Sequence, residues 1–191
     1  MSTVRRTRGG IRPRRFSKAE YYRLGELGFF RGQRVELIEG RLMVSSPQNP
    51  AHGSAVCRVG YALQQAFGTG YLVRTQLPLD LGQATEPEPD VAVVVGPFSL
   101  YDQAHPTAAM LVVEVSDATL NYDRRQKGSL YARGGVTDYW IVNLPDRRLE
   151  VYRQPIADRR AVRPPLRQSR RRAAWRYSQP AGRANRNHRR R

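Results

Sequence analysis

The chain has 191 residues, of which 33 are Lys or Arg and 16 are Asp or Glu, so its formal charge at pH 7 is +17. The single cysteine, Cys57, excludes an intramolecular disulfide and a zinc site built on several thiolates, and it favours a reducing, cytoplasmic setting. No stretch approaches the roughly 20 apolar residues of a membrane-spanning helix, and no signal-peptide apolar run follows the basic start, so a soluble, non-exported protein is expected.

The positive charge is confined to the two ends of the chain. Residues 1–18 carry seven basic residues and no acid, and residues 153–191 carry fourteen arginines against Asp158 alone. Residues 19–152 keep 12 basic and 15 acidic side chains, a net charge of −3. Any salt-sensitive attraction to a polyanion therefore belongs to the tails, which are either solvated disordered arms or dedicated binding arms.

The first part of the chain predicts two helices and a hairpin. Ser17 and Glu20 form the pattern of a capping box, which opens a short amphipathic helix over 17–29. Segments rich in β-forming residues on both sides of the Glu-Gly pair at 39–40 predict a hairpin. An apolar stripe at helical spacing then predicts a second helix over 51–67.

The second part predicts strands around one further helix. YLVRTQL and PLDL read as short strands, and VAVVV and MLVVEV read as central strands buried on both faces. A helix over 121–133 ends at two glycines, and DYWIVN and RLEVYR form a last strand pair around 145–146. This order predicts a single α/β (mixed α+β) domain with a central mixed sheet flanked by helices.

Two carboxylates stand out in the apolar strands. Asp90 opens DVAVVV and Glu114 lies inside LVVEVSD, so antiparallel pairing of these strands would make them neighbours. Adjacent carboxylates repel, and a hard divalent ion such as Mg²⁺ relieves that repulsion. The alternative is that each is a solvated group at a strand end, which suits Asp90 better than Glu114.

Lys127 adds a cation to this pair. On a helical wheel it is centred on the apolar stripe with Leu130 and Tyr131, and an inward-facing lysine needs an anion. The alternative is a surface ion pair with Asp123 four residues earlier, although Asp123 lies on the same inward side and could belong to the site as well. Arg125 faces the opposite side, toward solvent.

Four segments of the chain resemble the Uma2 family, also called DUF820, a restriction endonuclease domain of the PD-(D/E)XK nuclease-like superfamily. They are VELIEGRLMVSSP, HGSAVCRVGYAL, PEPDVAVV and EVSDATLNYDRRQKGSLYARGGVTDYWIVN. The resemblance covers residues 16–155 and implies a restriction-endonuclease-like core. It leaves residues 1–15 as a basic arm and residues 156–191 as an Arg-rich, disordered tail.

The resemblance also implies roles for individual residues. Asp90 matches the Asp of the motif and Glu114 its second acid, so both would bind Mg²⁺ or Mn²⁺, with the backbone carbonyl of Val115 as a further ligand. Ser116 stands where the usual pattern has lysine. Lys127 occupies the place of the lysine that Uma2-like variants bring from the following helix.

Two more residues match positions near the site in such families. Glu36 matches an acid that often reaches the metal, and His52 matches a histidine near the site. Each also has an ordinary interpretation, Glu36 as a hairpin surface residue and His52 as a helix cap or packing residue.

The function implied by the resemblance is Mg²⁺-dependent hydrolysis of DNA phosphodiester bonds, in which Lys127 places or helps deprotonate the attacking water. DNA is the expected partner, held in part by the basic tails, and nucleases of this superfamily often act as homodimers. The alternative is a catalytically inactive, nuclease-like protein that binds nucleic acid. The C-terminal tail departs from the family, and its composition suggests a frameshift product or an Arg-rich arm that holds DNA.

Overall fold

The computed structural model of the protein describes residues 12–157 and 173–178. Its helices are α1 Lys18–Glu26, α2 Pro50–Phe67 and α3, which spans 120–133 as the consecutive segments Leu120–Tyr122, Asp123–Lys127 and Gly128–Arg133. Its strands are β1 Arg34–Ile38, β2 Arg41–Ser45, β3 Tyr71–Thr75, β4 Val91–Val95, β5 Leu111–Ser116, β6 Asp138–Asn143, β7 Arg148–Ala157 and β8 Ala173–Ser178. Among the described residues no helix is long and apolar enough to cross a membrane.

The predicted capping box and hairpin are both confirmed. Ser17 Oγ accepts a hydrogen bond from the backbone N–H of Glu20, and the Glu20 carboxylate accepts from the backbone N–H of Ser17 at 2.9 Å. Helix α1 ends earlier than predicted, because the chain turns at Gly28 with φ 81°. The β1–β2 turn has φ 49° at Glu39 and 76° at Gly40, the left-handed conformations that two-residue hairpins require.

The main sheet has six strands in the order β3-β4-β5-β6-β7-β8. Every pair is antiparallel except β5 and β6, which are parallel and are connected through α3. The β1–β2 hairpin forms a separate two-stranded sheet. The predicted mixed α+β fold with a central mixed sheet is therefore confirmed.

The strand predicted for PLDL is wrong. The N–H of Leu79 donates to the carbonyl of Pro87, while the N–H of Asp80 donates to the carbonyl of Pro106. The N–H of Leu81 donates to the carbonyl of Thr85, but neither bond to the 85–87 segment is returned, because Pro87 has no N–H and the N–H of Thr85 donates to Gly82, so no ladder forms. Pro78 also lacks the N–H that a strand would use.

Two layers of apolar side chains cover the main sheet. On one face, Tyr131 of α3 packs with Val112, Tyr139 and Ile141. On the other face, Val56 and Leu63 of α2 pack with apolar residues of β4 and β5. All six residues of β5 are buried, as predicted for a strand covered on both faces.

Helix α3 contains one wide turn. The N–H of Gly128 bonds back to the carbonyl of Asp123, five residues earlier, so the segment between them is π-helical. A side chain at Gly128 would meet the ring of Tyr139 at 3.4 Å, so glycine lets the helix approach the sheet. The predicted end of the helix at the two glycines is confirmed, with Gly135 at φ 75°.

The sheet continues beyond residue 155, the predicted end of the domain. Strand β7 runs to Ala157, and β8 pairs with it antiparallel at the edge of the sheet. Strand β8 lies in the segment 156–191 that the sequence predicts to be a disordered tail, and its pairing occupies the backbone groups of an otherwise open strand edge. Residues 1–11, 158–172 and 179–191 lie outside the described residues, so the remaining predictions for both tails stay predictions.

Candidate active site

Asp90 and Glu114 lie side by side at one end of the main sheet. Val91 of β4 pairs with Val113 of β5, so the residues next to them in the two strands face each other. The N–H of Val115 donates to Asp90 Oδ2 at 2.9 Å, and the N–H of Asp90 lies 3.4 Å from Glu114 Oε2. Both carboxylates are buried, with exposed fractions of 6% and 3%. The pairing predicted from the two strands is confirmed.

Lys127 of α3 reaches this pair from the covering layer. Its Nζ donates to Glu114 Oε1 at 2.9 Å and to Glu36 Oε1 at 3.2 Å, and the side chain is buried. Asp123 is also buried, but it accepts a hydrogen bond from Thr119 Oγ1 at 2.6 Å. The anions that pair with the inward-facing lysine are therefore Glu114 and Glu36, and Lys127 is not held in a surface ion pair with Asp123.

Glu36 and His52 both reach the site. Glu36 is buried in β1, where Oε1 also accepts from the N–H of Glu88 at 2.8 Å, so its interpretation as a surface residue is wrong. His52 lies in the first turn of α2 with Nε2 3.3 Å from Asp90 Oδ2. The cap of α2 is Asn49, whose Oδ1 accepts from the N–H of His52 at 2.9 Å.

Three further residues contact the carboxylates. The hydroxyl of Tyr131 donates to Glu114 Oε1 at 2.6 Å, Gln76 Nε2 lies 3.4 Å from Asp90 Oδ1, and an Arg34 guanidinium nitrogen lies 4.0 Å from the same oxygen. Tyr131 lies on the same inward stripe of α3 as Lys127, so its position in the sequence could have predicted that it reaches the site. Gln76 and Arg34 come from separate segments, and only the folded chain brings them to Asp90.

The site holds more acidic than basic charge. Burial raises the pKa of Glu114 to about 8, with Lys127 opposing the shift and Asp90 adding to it. Burial also raises the pKa of Asp123. Burial by itself would lower the pKa of Lys127, but Glu114 and Glu36 outweigh it and raise that pKa above its ordinary value. The lysine therefore keeps its proton, and the acids of the site outnumber its two cations, Lys127 and Arg34.

One cavity of about 400 Å³ brings the predicted residues together. Its lining includes Glu36, His52, Asp90, Glu114, Val115, Asp123 and Lys127. A cavity that collects titratable groups with shifted pKa values is a candidate active site.

The donor set suits a partly hydrated divalent ion. Within the described residues, no three or more His, Cys, Asp or Glu side chains are grouped so that they alone could hold a metal ion. Glu114 Oε1 accepts from Lys127 and Tyr131, whereas the contacts of Asp90 Oδ1 with described residues are the long ones from Gln76 and Arg34. Mg²⁺ commonly takes one or two carboxylates and completes its shell with water and substrate phosphate, so Asp90 and Glu114 fit such an ion.

Comparison with known proteins decides the family. Residues 19–174 match Uma2, a family described as "Putative restriction endonuclease". The chain belongs to the Uma2 family. No curated protein matches it significantly.

A solved structure shows the same fold as this Uma2 chain. It is a crystal structure described as "a putative nuclease belonging to DUF820" from Anabaena variabilis ATCC 29413, with 14% sequence identity and a TM-score of 0.52. The match covers 62% of this chain and 71% of that chain. At this identity the likeness establishes the fold, and the family match confirms the resemblance seen in the sequence. The Uma2 match ends in β8, beyond the domain end predicted at residue 155.

Proposed function

We propose that this Uma2 domain is a divalent-metal-dependent endonuclease that hydrolyses DNA phosphodiester bonds, with Asp90, Glu114 and Lys127 as its catalytic residues. The observation that carries the proposal is their convergence in one cavity, with Lys127 Nζ 2.9 Å from Glu114 and the two acids joined across β4 and β5. Three separate elements supply these side chains, so their convergence is a property of the fold and not of local sequence.

Asp90 and Glu114, with the Val115 carbonyl, would hold Mg²⁺ or Mn²⁺. When bound there, the ion would supply an acidified water and neutralise charge that develops on the phosphate. His52, whose Nε2 lies 3.3 Å from Asp90 Oδ2, would orient the carboxylate. Tyr131 and Lys127 fix Oε1 of Glu114, so Oε2, which has only a 3.4 Å contact with the N–H of Asp90 among the described residues, would be the oxygen available to an ion.

Lys127 would act as a charged donor and not as a base. Its pKa lies above the ordinary lysine value because Glu114 and Glu36 stabilise the protonated form, so the amine holds its proton at neutral pH. A protonated lysine positions the attacking water or stabilises negative charge on the phosphate by hydrogen bonding. The role of proton acceptor, which the family resemblance also allows, is disfavoured here.

The acid surplus of the cavity also bears on DNA binding. A phosphodiester would meet four acids of the cavity, Glu36, Asp90, Glu114 and Asp123, which outnumber its two cations, Lys127 and Arg34. Because like charges repel, DNA is expected to enter productively only with a divalent ion in the cavity. The Arg-rich ends of the chain would add salt-sensitive attraction that does not depend on base sequence.

The test is cleavage of supercoiled plasmid by purified protein with Mg²⁺, with Mn²⁺ and with a chelator. Asp90→Asn removes a proposed metal ligand, and Asp102→Asn makes the same change at an exposed position outside the cavity. We expect metal-dependent nicking by the wild type and by Asp102→Asn, and its loss in Asp90→Asn. Equal nicking by all three proteins would contradict the proposal. Salt-sensitive DNA retention by folded protein with no nicking would favour the alternative of a binding protein without catalysis.

A further inference from the structure

The hydroxyl of Tyr122 is shielded from solvent but has no hydrogen-bond partner among the described residues. Tyr122 ends the first segment of α3 and lines the same cavity as Lys127. Six other tyrosine hydroxyls each donate to a protein oxygen, at Tyr21, Tyr22, Tyr101, Tyr131, Tyr139 and Tyr152. Ser116 Oγ is the other buried hydroxyl oxygen without a hydrogen-bond partner among the described residues, and of the two residues Tyr122 lines the cavity where the candidate chemistry is concentrated.

The nearby acids are engaged by other donors. Lys127 bonds to Glu36 and Glu114 through their Oε1 atoms, and Asp123 accepts from the hydroxyl of Thr119. Tyr122 lies within the electrostatic influence of all these groups, yet it bonds to none of them. A buried hydroxyl without a partner destabilises the folded chain, and in a native protein it calls for an explanation such as a ligand.

We propose that the Tyr122 hydroxyl donates a hydrogen bond to a non-bridging oxygen of the DNA phosphodiester bound in this cavity, an inference that rests on the proposed function. A phosphodiester has two such oxygens, and each accepts hydrogen bonds strongly because it carries negative charge. Lys127 supplies a charged donor from the same helix. Tyr122 adds a neutral donor, which can bind the phosphate without competing for the carboxylates that would hold a cation.

The test compares Tyr122→Phe with Tyr61→Phe, which removes a hydroxyl from an exposed ring on α2. Two quantities are measured for each: kcat/KM for cleavage of a fluorescent duplex of two helical turns, about 20 base pairs, and the affinity for that duplex in Ca²⁺. Thermal unfolding is recorded as well. Because the lost hydroxyl leaves no protein group unpaired, Tyr122→Phe should unfold at the wild-type temperature or above it.

We expect Tyr122→Phe to lower kcat/KM about 10- to 100-fold, the loss typical of one hydrogen bond to a charged oxygen, and to weaken duplex binding. Tyr61→Phe should match the wild type in both quantities. Wild-type kcat/KM in Tyr122→Phe would overturn the inference, and so would a loss that is matched by a lower unfolding temperature.

The two proposals fail in different ways. If wild-type protein binds the duplex but never cleaves it, the proposal of endonuclease activity fails. The affinity measurement in Ca²⁺ still tests the role of Tyr122. Weaker binding by Tyr122→Phe would then support the phosphate contact. Binding equal to that of the wild type would overturn it.

Discussion

Two buried glutamates occupy the same row of the main sheet and have opposite surroundings. Glu114 of β5 pairs with Ile141 of β6, and Ile141 pairs with Glu150 of β7, so the two carboxylates lie on one face with a single residue between them. Both are almost fully buried, at 3% exposure each. Burial raises the pKa of Glu114 to about 8, whereas hydrogen bonds, first from Arg124, lower the pKa of Glu150 to about 2.

The difference comes from the balance of neighbours. Glu150 accepts from Arg124 Nε at 2.8 Å, from Asn143 Nδ2 at 2.8 Å and from the hydroxyl of Tyr152 at 2.7 Å. Its negative charge is fully compensated by the protein. Glu114 shares one lysine with several acids, so its charge is compensated only in part. A saturated carboxylate is typical of structural stabilisation, and an unsaturated one beside other acids marks a place for a cation.

The largest expected effect is on cleavage, from a change on the Glu114 side. Lys127→Met removes the charged donor and should lower cleavage about 100- to 10,000-fold, the range for an essential proton-donating or charge-stabilising group. Arg125→Met, the control, removes an exposed charge two residues away on the outer side of α3. The measurement is the initial rate of plasmid nicking in Mn²⁺, normalised to folded protein. If Lys127→Met nicked plasmid as fast as Arg125→Met, the claim that the Glu114 cluster acts in cleavage would be contradicted.

The next effect is on stability, from the Glu150 side. Arg124→Met takes away the main partner of a buried carboxylate and should lower the free energy of unfolding by about 2 kcal/mol. Urea unfolding at pH 7 measures it, again with Arg125→Met as control. Cleavage per folded molecule should remain at the wild-type level. A loss of cleavage without a loss of stability would show that the Glu150 cluster belongs to the active site.

The smallest expected effect is on the pH dependence of the free energy of unfolding, which should differ between Glu114 and Glu150. Because the pKa of Glu114 is raised in the folded state, its contribution to stability is lost as pH rises from 4.5 toward about 8 in the absence of metal. Glu114→Gln should remove this dependence, so its free energy of unfolding should vary less between pH 4.5 and 8 than that of the wild type. The measurement is urea unfolding at several pH values in chelator. A slope between these pH values that Glu114→Gln leaves unchanged would contradict the assignment.

Glu150 should show the opposite slope. Its pKa is lowered in the folded state, so its contribution is present above 4.5 and is lost as pH falls toward about 2. Glu150→Gln should lower stability at neutral pH and flatten the acid limb of the unfolding profile. An acid limb identical to that of the wild type would show that other carboxylates control acid unfolding.

The sequence predicted the site best where strand and helix periodicity act directly. Asp90 and Glu114 interrupt apolar strands, and Lys127 interrupts an apolar helical stripe, so burial and convergence followed from spacing. Glu150 was missed because it alternates with apolar residues in RLEVYR, a pattern typical of a strand with one solvated face. Only the fold shows that Arg124 of α3 covers it.

Contacts between distant segments could not be predicted. The wide turn that sets the register of Lys127 depends on how Gly128 packs on Tyr139, a contact between a helix and a later strand. Gln76 takes a left-handed conformation at φ 54° beside Asp90, and no turn residue in the sequence marks it. The strand β8 escaped prediction because the basic composition around it is typical of disorder.

The most direct test of the account is calorimetric titration of Mn²⁺ into wild-type protein, Asp90→Asn and Glu150→Gln at pH 7. The account predicts that the wild type and Glu150→Gln bind the ion at one site and that Asp90→Asn does not. Binding should also release protons, because a cation beside Glu114 favours its ionised form. Equal binding by all three proteins, or none by the folded wild type, would contradict the claim that this acid surplus holds a divalent ion.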